Sequence, residues 1–219
     1  MIIRVLIITF LLWSSVAKAQ FISDYGIHLF VGQNDLVGKF QENEKAKGIY
    51  SFTAGFHAHV DLPAHFVFRA ELNALGLADS LVRKTNLGIS GVSNGTNSRI
   101  KSSRYYLQLP LILRYCIPSE ETNLQLNVGV YGAYLLSHRE NGSIVNSQVG
   151  TVSVDYVNSK SYYALNHVEW GYVFSISGQN DRTTYEFRFT KSATPLFTNF
   201  PFYGKYNFGY MIGLGYSFN

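Results

Sequence analysis

The chain has 219 residues, of which 16% are aromatic, 15% charged and 47% hydrophobic, and its 18 basic and 14 acidic residues give a formal charge of +4. About a quarter of an ordinary globular chain is charged, and a disordered chain needs low hydrophobicity with high charge, so neither class fits. A bundle of membrane helices is excluded too, because after the first twenty residues no run approaches the ~20 continuous apolar residues of a spanning helix.

Residues 1–19 read as a secretory signal peptide, with Arg4 in a short basic start, an apolar run from Val5 to Trp13, and Ala17-Lys18-Ala19 before Gln20. Arg4 and Lys18 would leave with it and no acid would, so the charge of +4 falls to +2. Neither value provides the basic stripe that a nucleic-acid partner requires. Cys116 is the single cysteine, which excludes an intrachain disulfide and reads as a small packing residue.

From Gln20 onward the dominant signal is period two, which in a strand sends alternate side chains to opposite faces. Eight apolar rows follow in chain order: Tyr25 to Val31, Phe52 to Val60, Phe66 to Leu72, Tyr105 to Tyr115, Leu124 to Tyr134, Val168 to Ile176, Tyr185 to Phe189, and Phe208 to Phe218. No row position is charged. The opposite face carries His28, His57, His59, Arg69, Glu71, Gln108, Arg114, Gln125, Asn127, Glu169, Glu186 and Arg188, with glycines between them. Two architectures give eight strands with one apolar face, a lipocalin-like barrel that is apolar inside and an outer-membrane barrel that is apolar outside. Rows of Phe, Tyr and Leu would overfill an eight-stranded bore, so they are assigned to lipid and the small and polar residues to the lumen.

Short connections (61–64, 118–121, 178–181) alternate with long ones (32–48, 76–101, 137–165, 192–203). Tyr105, Trp170, Tyr203 and Tyr206 fall near the long-loop ends, and Tyr115, Tyr216 and Phe218 near the short-turn ends, as two interfacial girdles would. The reading is one all-β domain, residues 20–219: an eight-stranded antiparallel up-and-down transmembrane β-barrel with short periplasmic turns and long extracellular loops, monomeric in a Gram-negative outer membrane. Asn94-Gly95 and Asn141-Gly142 are turn formers and imply that their loops extend as hairpins above the membrane. Pro110 lacks an N–H inside a closed sheet, which predicts a bulge there.

The segment from Tyr105 to Tyr115 (YYLQLPLILRY) resembles a strand typical of the PorT-like outer-membrane β-barrel family, and Asn127 to Leu135 and Asn207 to Phe218 are similar to that family's later strands. The resemblance implies a membrane-embedded barrel, some relatives being accessories of protein secretion or gliding, and it brings no catalytic residues with it.

Arg69, Arg114 and Arg188 share the inward face with Glu71, Glu169 and Glu186, and buried charges need partners, so these six are expected to form a network that plugs the bore. A turn at 178–181 that paired Gly171 with Arg188 would put Glu169 and Glu186 beside that arginine. His57 and His59 lie on one inward face with His28 on the preceding strand, a hydrogen-bonded lining or a weak metal signal; no cofactor is called for. Arg83, Lys84, Arg99 and Lys101 in the second long loop are ordinary solvated charge or contacts to anionic headgroups or an acidic partner. His138, His167, Ser137, Ser143 and Asp155 carry no catalytic signature, so no enzyme is expected. The leading expectation is an accessory of secretion or the envelope, with lipid and envelope proteins as partners; the alternatives are a surface adhesin and, third, a small outer-membrane enzyme.

Overall fold

The alternation of bulky apolar with small or polar residues builds strands that are lipid-like on one face. The computed structural model describes residues 22–38, 44–89, 92–119, 123–146, 150–157, 165–197 and 204–218; the signal-peptide reading of residues 1–19 and the girdle residue Tyr203 lie outside them. The strands are β1 (Asp24–Gly38), β2 (Glu44–Leu62), β3 (Phe66–Ile89), β4 (Val92–Cys116), β5 (Leu124–Asn146), β6 (Gly150–Val157), β7 (Val168–Asn180), β8 (Thr183–Ser192) and β9 (Lys205–Ser217). All pairings are antiparallel, and the order β1-β2-β3-β4-β5-β7-β8-β9 closes on itself through β9 and β1. The result is a closed eight-stranded transmembrane barrel, with β6 as an added strand paired to β5 beyond it.

Closure leaves no open edge, which is the condition for a sheet in hydrocarbon. The outer wall is a belt of exposed apolar side chains, among them Phe56, Val128, Val168 and Ile212, each more than half exposed. An uninterrupted belt of this kind is far larger than the apolar patches that soluble monomers expose. Aromatic pairs mark both rims. Phe66 with Tyr115 and Tyr25 with Phe218 stand at the short-turn end, and Phe52 with Tyr105 and Trp170 with Tyr172 at the other. Gly76, between the strands of Phe52 and Tyr105, lets the Phe52 ring lie across the wall, since a Cβ there would overlap that ring.

Four details depart from the sequence reading. First, β3, β4 and β5 run for 24, 25 and 23 residues, whereas about 9–11 cross a bilayer. The segments 76–101 and 137–165 are therefore largely ladder, with Ile89 opposite Val92 and Asn146 opposite Gly150 at the hairpin ends. Asn94-Gly95 and Asn141-Gly142 sit inside strands rather than at turns, because cross-strand pairing, to β3 alone for Asn94-Gly95 and on both sides for Asn141-Gly142, outweighs local turn preference.

Second, no bulge occurs at Pro110. The β3–β4 register is the same on both sides of it, with Ala70 opposite Leu111 and Asn73 opposite Gln108, and only the pairs between are missing. The absent N–H opens a gap in one ladder without displacing the strand, while the β4–β5 ladder passes through Pro110 opposite Tyr131. Register shifts fall instead at Gly48/Tyr50 and Tyr105/Tyr106.

Third, the β7–β8 hairpin is tighter than read. Asn180 faces Thr183, and Asp181 takes φ 53° at the turn, so Arg188 pairs with Ser175 and Gly171 with Ser192. Fourth, the lumen is not only small and polar: Phe30, Tyr106, Ile112, Tyr131, Val173 and Met211 are buried on the inward face.

Val128→Arg places a charge on the lipid face and is expected to cost about 2–4 kcal/mol, while Val128→Leu is near neutral. Urea unfolding of the barrel refolded into vesicles measures both, and equal stabilities would refute the inside-out assignment. Asn127→Arg is no harmless control, because Asn127 is 1% exposed and already holds Arg114.

Candidate functional site

Inward positions of eight strands converge on a bore too narrow for water to separate their charges, so the polar groups meet one another. Toward the short-turn end, Arg188 reaches Glu71 through two nitrogens, at 2.7 and 2.8 Å, and Glu186 through Nε at 2.8 Å. Arg69 lies 2.7 Å from Glu71 and 2.9 Å from Glu186. The four charges form a neutral ring, with the Arg188 guanidinium 4.2 Å above the Phe30 ring. Phe30 in turn lies over Gly213, where a Cβ would overlap the ring.

Arg114 and Glu169 do not join this ring. Arg114 donates from Nε to Asn127 Oδ1 (2.8 Å), which leads on to Ser177 and Gln125. Glu169, carried away from Arg188 by the tighter hairpin, accepts from Tyr131 (2.7 Å) and Asn207 (2.6 Å). It belongs to a second polar layer nearer the hairpin end, where Arg104 pairs with Asp79 and donates to Asn207. Sequence reasoning missed Asp79, Arg104, Tyr131 and Asn207. Asp79 continues the parity of Arg69 and Glu71, and Arg104 that of Arg114, so the signal was present once those strands were extended into what read as loop. By position along their strands, Phe30, Val173 and Met211 lie between the two layers. Above them Leu36, Leu77, Leu165, Leu196 and Phe197 form a buried apolar cap, held by a bridge between Leu165 and Phe197.

At the short-turn mouth the histidines stack as a column, His28 on His57 and His57 on His59, with ring centroids 5.6 and 4.8 Å apart. Asn73 donates to Glu71, so its Oδ1 accepts from His28 Nε2 at 2.8 Å, and a hydrogen bond of 3.3 Å joins His28 Nδ1 and His57 Nδ1. Both nitrogens of His28 are thus engaged. Asp24, His57 and His59 instead offer ligand atoms all within 4.8 Å of one another, and two imidazoles with a carboxylate are a donor set that borderline divalent cations accept. Asp24 is already engaged by Ser217 (2.6 Å) and lies 3.4 Å from His59, which also suits a hydrogen-bonded lining.

The basic residues of the second long loop divide between the two sides of the β3–β4 hairpin. Arg83 pairs with Ser98 on the register of the inward face, while Lys84, Arg99 and Lys101 occupy register positions of the outer face. His138 is buried on the inward side of β5, whereas Asp155 holds a register position of the outer face opposite Asn141. His167 is exposed at the start of β7. Cys116 is half-buried at the end of β4. A depression of about 610 Å³ lies on the outer wall among Leu29, Val31, Tyr185, Phe187, Ile212 and Leu214, a lining that suits acyl chains.

No protein-family model and no curated protein matches the chain. Among solved structures it is similar to Neisserial surface protein A, at 8% identity over 89% of this chain and 97% of that one, with a TM-score of 0.42. It is also similar to Ail, the attachment invasion locus protein of Yersinia pestis, solved with the heparin analogue sucrose octasulfate (12% identity, 89% and 98% covered, TM-score 0.40). A third is the outer membrane protein OprG from Pseudomonas aeruginosa (14% identity, 91% and 97% covered, TM-score 0.39). The strand order described above rests on this chain's own register.

Removing one member of the ring leaves a buried charge unpaired. Arg188→Met is expected to destabilise the barrel by about 3–5 kcal/mol, and adding Glu71→Gln, which leaves Arg69 paired with Glu186, is expected to restore at least half of that. Unfolding midpoints of the three proteins in vesicles test it; additive losses would mean that the charges do not act as one network.

Proposed function

We propose that the chain is an integral, non-enzymatic barrel of a Gram-negative outer membrane, monomeric, serving as an accessory of protein secretion or the envelope through the sheet raised at its long-loop end. The observation that carries this reading is the length of three adjacent strands, β3 to β5, roughly twice what crossing requires. The chain invests its regular structure in a surface beyond the belt, while two polar layers and an apolar cap fill the bore. A pore would keep its working groups along an open bore, and an enzyme would bring a nucleophile and a base together at the rim. The PorT-like resemblance of strands β4, β5 and β9 points the same way.

Deleting residues 84–97 joins Arg83 to Ser98, which already face each other, and shortens the projecting sheet without touching the bore. The expected result is a barrel that still assembles, shown by heat-dependent gel mobility, together with reduced export of other envelope proteins. Unchanged export with loss of adhesion alone would make it an adhesin. In planar bilayers the wild-type protein is expected to give no steady ion current, and a sustained current would overturn the closed bore.

A further inference from the structure

The outer face of the projecting sheet is built by cross-strand rows that can be followed one by one. The row at the aromatic rim runs Phe52, Gly76, Tyr105, Ser137. The next row outward is Tyr50, Ala78, Ser103, Arg139, Val157, and the one after it Lys47, Ser80, Lys101, Asn141, Asp155. Then come Lys45, Val82, Arg99, Ser143, Ser153, and beyond them Lys84 opposite Asn97. Lys45, Lys47, Lys101 and Arg139 are exposed. Among the described residues of these rows Asp155 is the single acid. The inward register of the same strands mixes signs, with Glu44, Asp79 and Glu140 beside Arg83 and Arg104.

The cations recur at alternate positions along β2 (Lys45, Lys47) and β4 (Arg99, Lys101), with uncharged residues between them across the ladder, so the outer rows are cationic but for Asp155 while the inner register carries both signs, a pattern suited to an external anion. Its height is specific. Lys101 is four residues beyond Tyr105, about 13 Å along a strand and about 10 Å along the membrane normal at a ~40° tilt. That is the level of the headgroups just above the interfacial aromatics. Lys47 and Lys101 stand two strands apart, roughly 10 Å, close enough to hold neighbouring phosphates.

We propose that this outer face, centred on Lys45, Lys47, Lys101 and Arg139, is a binding surface for the phosphorylated headgroups of the lipid leaflet around the barrel. The inference rests on the membrane placement proposed above. Headgroup phosphates neutralise the cationic rows, and the rows in turn hold the projecting sheet upright against the leaflet. Attraction of this kind is electrostatic and falls with ionic strength.

The test uses the full chain in zwitterionic micelles titrated with bisphosphoryl lipid A at low and high salt, with folding of each variant checked by heat-dependent mobility. Lys45→Gln with Lys47→Gln and Lys101→Gln should weaken binding by about 100-fold, from roughly five-fold per cation. The corresponding triple Lys→Arg variant should bind like wild type, and Arg182→Gln, a cation at the opposite rim, should change binding less than two-fold. Loss of affinity at high salt and indifference to millimolar inorganic phosphate are expected. Equal affinity of the triple Gln variant, or displacement by inorganic phosphate, overturns the proposal; so does heparin bound through these lysines while lipid A is not. Failure of wild-type protein to insert into vesicles would overturn the membrane placement instead, and is scored separately by protease protection.

Discussion

Hydrocarbon offers no partner to a backbone N–H or carbonyl, and that constraint organises everything else in this molecule. A sheet can enter lipid only if it has no edge, so β9 must meet β1 and β4 must meet β5 before any side chain matters. Closure fixes an inside and an outside. The period-two alternation then has one consistent solution, with Phe, Leu, Val and Tyr on the wall and the remainder facing a bore barely wide enough to hold them.

Inside that bore the constraint passes from backbone to charge. Arg69 and Arg188 share Glu71 and Glu186, while Arg104 pairs with Asp79, so each of these cations meets an acid at contact distance. The two polar layers are separated by Phe30, Val173 and Met211, which makes the interior a sequence of wet-type and dry-type strata. The first polar layer bears directly on the apolar one, since the Arg188 guanidinium lies on the Phe30 ring.

The fold was legible because its signal is local and repeated: eight rows of alternate residues name the wall without any knowledge of register. What stayed hidden depended on where strands stop. Ending β3 near Leu72 and β4 near Tyr105 removed Asp79 and Arg104 from view, and a slipped β7–β8 turn put Glu169 beside the wrong arginine. Pro110 shows the converse case, a residue whose local rule demanded a bulge while the unbroken β4–β5 ladder, and a β3–β4 register that resumes unchanged after its gap, kept the strand in place. Turn formers such as Asn141-Gly142 were equally overruled, because a local turn preference does not compete with continuous pairing on both sides. Of the site, the charged residues and their faces could be read from parity; the pairing partners could not, because they lie across strands far apart in sequence.

The seam between β1 and β9 has a kinetic consequence. It joins Gly26 to Ser217 and continues to Gly38 opposite Lys205, so its contacts span nearly the whole chain, whereas every other wall pairing links successive barrel strands. Loop-closure entropy must be met before such a contact forms, and folds dominated by distant pairing form slowly. Until the seam zips, β1 and β9 present two unsatisfied edges on the same molecule. Assembly in lipid is therefore gated by its longest-range ladder, and the β9 strand, rich in Gly209, Gly213 and Gly215, is the final piece that turns a curved sheet into a sealed cylinder.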